Sequence, residues 1–183
     1  MRALLAQIGR RRLALVAVLC AAVAVTASVG LASADDEHSL SAATKSATGR
    51  YHNLQAAKDA GYSLLRDAAG IACIDNQPAG GMGVHYANGD LVGDPAIDPL
   101  QPEALVYAPN ASGQLKLAAL EYVVIKDAWD STHASRPSLF GRAFDLTPFP
   151  NRFGLPAFYS LHAWVWEPNS DGLLEPWNPR VHC

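Results

Sequence analysis

The sequence predicts an α+β domain, an antiparallel sheet, open or barrel-like, with one main helix near the amino terminus packed on it. Three observations carry this. Short strand-like runs outnumber helical ones, and no strand–helix alternation of the parallel type occurs. Two apolar runs, Glu103–Tyr107 and Leu115–Ile125, flank the turn-rich Ala108–Gly113 and read as a β-hairpin. One stretch alone, 42–60, has apolar residues at helical spacing over any length.

The chain opens with a different signal. Arg2, Arg10, Arg11 and Arg12 precede an apolar run from Leu13 to Val25, which weakens towards Leu31. Ala32-Ser33-Ala34 and the acidic Asp35-Asp36-Glu37 follow. That order is the layout of a secretory signal peptide over 1–34, cleaved after Ala34. The arginines are compatible with either a general or a twin-arginine export route. A membrane anchor is disfavoured because Thr26, Ser28, Gly30 and Ser33 thin the apolar run and no basic cluster follows it. The expected product is a single domain over 35–183, secreted or periplasmic.

The leader holds four of the 14 basic residues and none of the 17 acidic ones, so the mature part carries 10 against 17, a formal net charge of −7. Such a balance argues against nucleic acid as a partner and against adsorption to an anionic membrane surface. No stable membrane insertion is expected after cleavage. Two cysteines, Cys73 and Cys183, remain, and an even pair in an oxidising compartment reads as a disulfide.

Within the domain, Ala43, Ala47, Tyr51, Leu54 and Ala57 form the apolar stripe of the predicted helix, capped by Ser41 or Thr44 and stopped at Gly61. Residues 70–81 read as a loop and Met82–Ala87 as a strand. Asn88-Gly89-Asp90 has the composition of a hairpin turn. Pro95, Pro99 and Pro102 exclude regular structure over 91–102. The long run from Leu115 to Ile125 is nearly all apolar, which suits a central strand. A loop-rich stretch over 127–156 includes a short hairpin or lid, and Pro156–Trp166 is the last strand.

Six phrases stand out together: GMGVHY at Gly81–Tyr86, PEALVY at Pro102–Tyr107, LEY at Leu120–Tyr122, LFG at Leu139–Gly141, LHAW at Leu161–Trp164 and WNP at Trp177–Pro179. In these phrases the chain resembles a family of small secreted bacterial proteins of uncharacterised activity. The resemblance spans nearly all of the mature chain. It implies a secreted single domain and no chemistry.

The chemistry must come from four ionisable residues set in apolar surroundings: His85, Glu103, Glu121 and His162. On the last strand, Tyr159, Leu161, Ala163 and Val165 face one way, a plain core face. Phe158, Ser160, His162, Trp164 and Trp166 face the other, and Ser160, Trp164 and Trp166 make it resemble the wall of a ligand cavity. Glu121 interrupts the row Leu115, Leu117, Ala119, Val123 and Ile125. A lone carboxylate there is costly to bury, so it requires an arginine such as Arg142, Arg152 or Arg180, an edge position, or a metal. His85 has small neighbours, Gly83 and Ala87, on its own face. If Tyr107 aligns with Lys116 in the hairpin, Glu103 approaches Glu121 diagonally.

His85, Glu103, Glu121 and His162 are therefore the candidate ligands of one divalent transition metal ion. No HExxH, CxxC or GxSxG motif supports a named enzyme class. The expectation is a secreted small-ligand or metal-binding domain. The alternatives are a metal-dependent oxidoreductase or hydrolase, and an envelope protein with a buried polar network.

Overall fold

The computed structural model describes residues 42–183, so the expected signal peptide over 1–34 lies outside the described residues. Helix α1 covers 42–48 and leads through a three-ten turn at Gly49–His52 into α2, Leu54–Asp59. The expected continuous helix is thus broken. The break falls at Asn53, which takes an extended conformation and caps α2 by accepting from the Gln55 N–H at 2.9 Å. An asparagine at that place offers the backbone a partner outside the helix. Gly61, at φ 91°, ends α2 as its sequence position predicts.

Seven strands form one sheet: β1 (Ser63–Leu64), β2 (Cys73–Asn76), β3 (Gly80–Ala87), β4 (Ala104–Pro109), β5 (Leu115–Ile125), β8 (Asp145–Thr147) and β9 (Phe158–Ala163). Their order is β1-β3-β4-β5-β9-β8, with β2 also paired to β3, and every pairing is antiparallel. The sheet is mixed with helices as expected, but it is open and does not close into a barrel, because β1 and β8 do not pair with each other. A separate hairpin of β6 (Ser138–Leu139) and β7 (Arg142–Ala143) turns at Phe140 and Gly141, both at positive φ.

Several local expectations change: residues 70–81, read as a loop, contain β2 and the start of β3, and the chain is helical up to Gly93, inside the stretch the prolines were expected to keep irregular. Asn88-Gly89-Asp90 is not a hairpin turn: Asn88 caps a short helix, α3 (Gly89–Gly93), by accepting from the Asp90 N–H. The last strand ends at Ala163, where the Val165 N–H turns back to the Ala163 carbonyl and the Trp166 N–H bonds to Ala118. A further short helix, α4 (Lys126–Asp130), follows β5.

The sheet's first face carries the main core. Tyr86, Leu105, Tyr107, Leu120, Tyr122, Tyr159 and Leu161 pack there with Tyr51, Ala57 and Tyr62 from the helical segment and its exit. The second face has a smaller apolar cluster of Val106, Ala118, Ala119, Trp164 and Val181. The carboxy-terminal tail is fastened beneath it. Gly81 and Asn178 exchange both backbone hydrogen bonds, and a Cβ on Gly80 would lie 2.1 Å from the Asn178 carbonyl oxygen. Cys73 and Cys183 form the expected disulfide. Among the described residues, no helix is long and apolar enough to cross a membrane.

Candidate metal centre

Three strands supply the site. His85 on β3 stands opposite Val106, and Glu121 on β5 stands opposite both Ala104 and His162 of β9. Residues paired across strands share a face, so His85, Glu121 and His162 all project from the second face. Ala104 and Ala119 are small, which leaves the longer side chains room to cross β4. The three donors converge. His85 Nε2 lies 3.2 Å from His162 Nε2 and 3.3 Å from Glu121 Oε2, and His162 Nδ1 lies 3.6 Å from Glu121 Oε1. One ligand atom from each falls within 4.8 Å of the others.

Two donors bound to one ion at about 2.1 Å lie about 3.0–3.5 Å apart in octahedral or tetrahedral geometry. The two shortest separations match that range. The cluster can therefore hold a metal ion. It consists of two imidazoles and a carboxylate, the donor set of several zinc and non-haem iron sites.

All three residues are buried, and burial sets their charge. It pushes the Glu121 carboxyl up to about 7, against a slight downward pull from neighbouring Ser160. It lowers His85 to about 4, a shift opposed by the Gly83 backbone and assisted by the positive charge of Arg152. The Gly83 contact falls short of a directed hydrogen bond, since His85 Nδ1 is buried without a partner. His162 is lowered well below its ordinary value by burial and then by His85. Without an ion the imidazoles are neutral, and a carboxylate formed beside them has no full counter-charge. The arginines that were candidates for that role are engaged elsewhere: Arg142 with Glu175, Arg152 with Asp67, and Arg180 with Glu167.

Glu103 is brought near this group but not into it. The hairpin pairs Tyr107 with Leu117 and Ala108 with Lys116, and it carries a bulge at Val106/Tyr107. The alignment of Tyr107 with Lys116 does not form; Ala104 is the residue opposite Glu121, so Glu103, its neighbour in the chain, turns away from the second face. Its Oε2 accepts from the Val123 N–H at 2.9 Å, closing the ladder where β4 gives out. Burial raises it to about 8.

The aromatic wall is divided. Trp164 stays beside the site, its ring 6.0 Å from that of His162 and 24° from parallel, with its Nε1 donating to the Glu175 carbonyl. Trp166 does not share that face, because β9 ends before it. It packs at the edge of the main core with its ring 4.4 Å from that of His52, and its Nε1 is buried without a partner. Ser160, half-buried, faces Glu121's side of β9. The larger cleft, about 690 Å³ between the β4–β5 turn and the tail at Arg180–Cys183, lies away from these residues.

Sequence reasoning missed Asp67, and it offered Arg152 as a partner for Glu121 rather than for Asp67. The two residues sit in irregular stretches with no periodicity to reveal their pairing. No family model, characterised protein or solved structure matches the chain.

Proposed function

We propose that the protein is a secreted or periplasmic metal-binding domain whose ion is held by His85, Glu121 and His162, and that it belongs with the small secreted bacterial proteins its sequence phrases resemble. One observation supports this reading above all others: three buried donors from three strands converge at ligand spacing, and no lysine or arginine among the described residues pairs with the carboxylate. A buried carboxylate is ordinarily paired, hydrogen-bonded or metal-bound. The disulfide agrees with an oxidising compartment.

A divalent ion at this place would supply Lewis acidity and the missing positive charge. His85 and His162 would hold it as neutral imidazoles, and Glu121 as a carboxylate. Three protein ligands leave a coordination position for water or a small molecule, as catalytic sites do. That count is the specific support for a second reading, a metal-dependent enzyme acting at the same centre. Trp164 and Ser160 would border the open position.

The test is elemental analysis of untagged protein purified without chelators, followed by titration of the metal-free form with zinc, iron(II), manganese and copper. One transition metal ion per chain is expected. His85→Ala and His162→Ala should each lower affinity by at least about 100-fold, beyond the usual effect of a ligand's supporting neighbour. A metal at a hundred times its dissociation constant should stabilise the wild type by about 2.7 kcal/mol. A wild type that binds none of these ions, and whose melting none of them changes, would overturn the proposal.

A further inference from the structure

The metal-binding face is bordered by a strap made from opposite edges of the sheet. Residues 65–71 leave β1, at one edge. Residues 148–155 leave β8, at the other, and return to β9. In a flat sheet β3 and β9 would be about 14 Å apart, three strand spacings. Yet His85 and His162 meet at 3.2 Å. The second face is therefore concave, and the two loops are drawn together across its mouth.

Each loop is braced internally. Asp67 Oδ1 accepts from the N–H groups of Ala69 and Ile71, and Asn151 Oδ1 accepts from those of Phe153 and Leu155. Between the loops the seam is narrow. The Ala68 N–H donates to the Arg152 carbonyl at 2.9 Å, and the Arg152 guanidinium donates twice to Asp67 Oδ2, at 2.7 and 3.2 Å. The strap borders the site's face. The Leu65 N–H continues the β1–β3 ladder to the backbone carbonyl of His85, where the strap begins, and the Phe153 ring packs 6.3 Å from that of Phe158, which shares a face with Ser160 and His162.

We infer that Asp67 and Arg152 form the latch of this strap, and that ions and small ligands reach His85, Glu121 and His162 when it opens. A few polar contacts between two stiff loops are the kind of seam that opens locally while the sheet stays folded. The consequence for ion exchange rests on the metal-binding reading above. The latch itself does not, and it is testable on the metal-free protein.

Two measurements on the whole mature chain decide it. The first is the rate at which diethyl pyrocarbonate modifies each histidine, read by peptide mass spectrometry, with exposed His133 as the internal reference. Asp67→Asn keeps the Oδ1 acceptor and removes the charge pair. It should speed modification of His85 and His162 by about fivefold, the scale of losing one ion pair worth about 1 kcal/mol, with His133 unchanged. Arg152→Gln should do the same from the other side of the seam. The second measurement is cobalt(II) uptake and its release to a chelator, followed by visible absorption. Asp67→Asn should raise both rates by a similar factor and leave the dissociation constant unchanged, as a gate must. Unchanged modification of His85 and His162 in both variants would overturn the strap, whatever cobalt does. A change in cobalt affinity without a change in both rates would overturn it as well, making Asp67 a support of the site's geometry. Faster modification together with no cobalt binding by the wild type would leave the strap standing and remove the metal-binding reading.

Discussion

The two faces of the sheet handle buried polar atoms in opposite ways. On the first face three buried tyrosine hydroxyls end on backbone carbonyls: Tyr62 on Pro102, Tyr107 on Tyr51 and Tyr122 on Pro99, at 2.7–2.8 Å. These contacts join the sheet to the helical segment and to the 91–102 loop. They satisfy neutral groups with neutral groups. On the second face the buried polar groups are ionisable and turn towards one another, and one ring nitrogen has no partner. A face that only needed to be stable would follow the first pattern. The difference separates a core from a site.

Neighbouring residues on β5 give the sharpest contrast. Leu120 is fully buried in the main core, and Glu121 points to the other face. Leu120→Ala should destabilise the protein by about 2–5 kcal/mol, with or without metal. Glu121→Gln has nearly the same volume and removes a charge that burial disfavours. It should cost less than about 1 kcal/mol in the metal-free protein, and it should abolish the stabilisation conferred by metal. Denaturant melts of both variants, with and without zinc, check the pair. An equal loss in the two metal-free variants would mean that Glu121 is held by the fold rather than poised for an ion.

Much of this arrangement was legible in the sequence. The alternation along 158–163 set His162 on the face away from Tyr159 and Leu161, and the interrupted apolar row of 115–125 singled out Glu121, because strand period is fixed by backbone geometry. The small residues beside His85 were read as room, but at Gly83 the place of a Cβ is taken by the Tyr107 carbonyl, 2.7 Å away. The bulge in β4–β5 was not legible, since nothing sets Ala118, the extra residue on β5, apart from the apolar run around it, and the register that was to bring Glu103 to Glu121 could not be read. The end of β9 at Ala163 was hidden as well. Trp164 and Trp166 continue the alternation in sequence while the tail, fixed through Asn178, draws the chain out of the sheet. The open edge of the sheet depends on β1 and β8, which are too short to read from composition.

Glu103 tests the border between the faces. It is pushed to about 8 by burial first, with the Val123 N–H lowering it and the carboxylates of Glu121 and Asp98 raising it again. Its ordinary value is 4.5, so between those limits the folded chain holds a proton that the unfolded chain has released. Stability from this group is complete below about 4.5 and is lost as pH rises through about 8. Glu121, raised to about 7, acts with the same sign. In chemical denaturation of the metal-free protein, stability should fall from pH 6 to pH 9. Glu103→Gln should remove the part due to Glu103, on the order of 3 kcal/mol. An unchanged slope in that variant would mean that Glu103 is already ionised in the fold, held by the Val123 N–H more firmly than burial opposes it.

The smallest expected effect compares one hydroxyl from each face. Tyr107 is fully buried, and its hydroxyl donates to the Tyr51 carbonyl at 2.7 Å, linking β4 to the three-ten turn before α2. Tyr107→Phe keeps the ring and its edge-on contact with Tyr86, at 5.3 Å between centroids. It removes only the hydrogen bond, and it leaves a buried carbonyl short of a donor. The expected cost is about 1–2 kcal/mol, read from the denaturation midpoint at an unchanged slope. Ser160 is the hydroxyl on the other face, half-buried beside Glu121. Ser160→Ala should shift stability by less than about 0.5 kcal/mol. If Ser160 borders the open coordination position, the same change should alter the visible spectrum of the cobalt(II) form. A hydroxyl that matters to the metal spectrum and not to folding is what the second face predicts, and one that matters to folding alone would return Ser160 to the core.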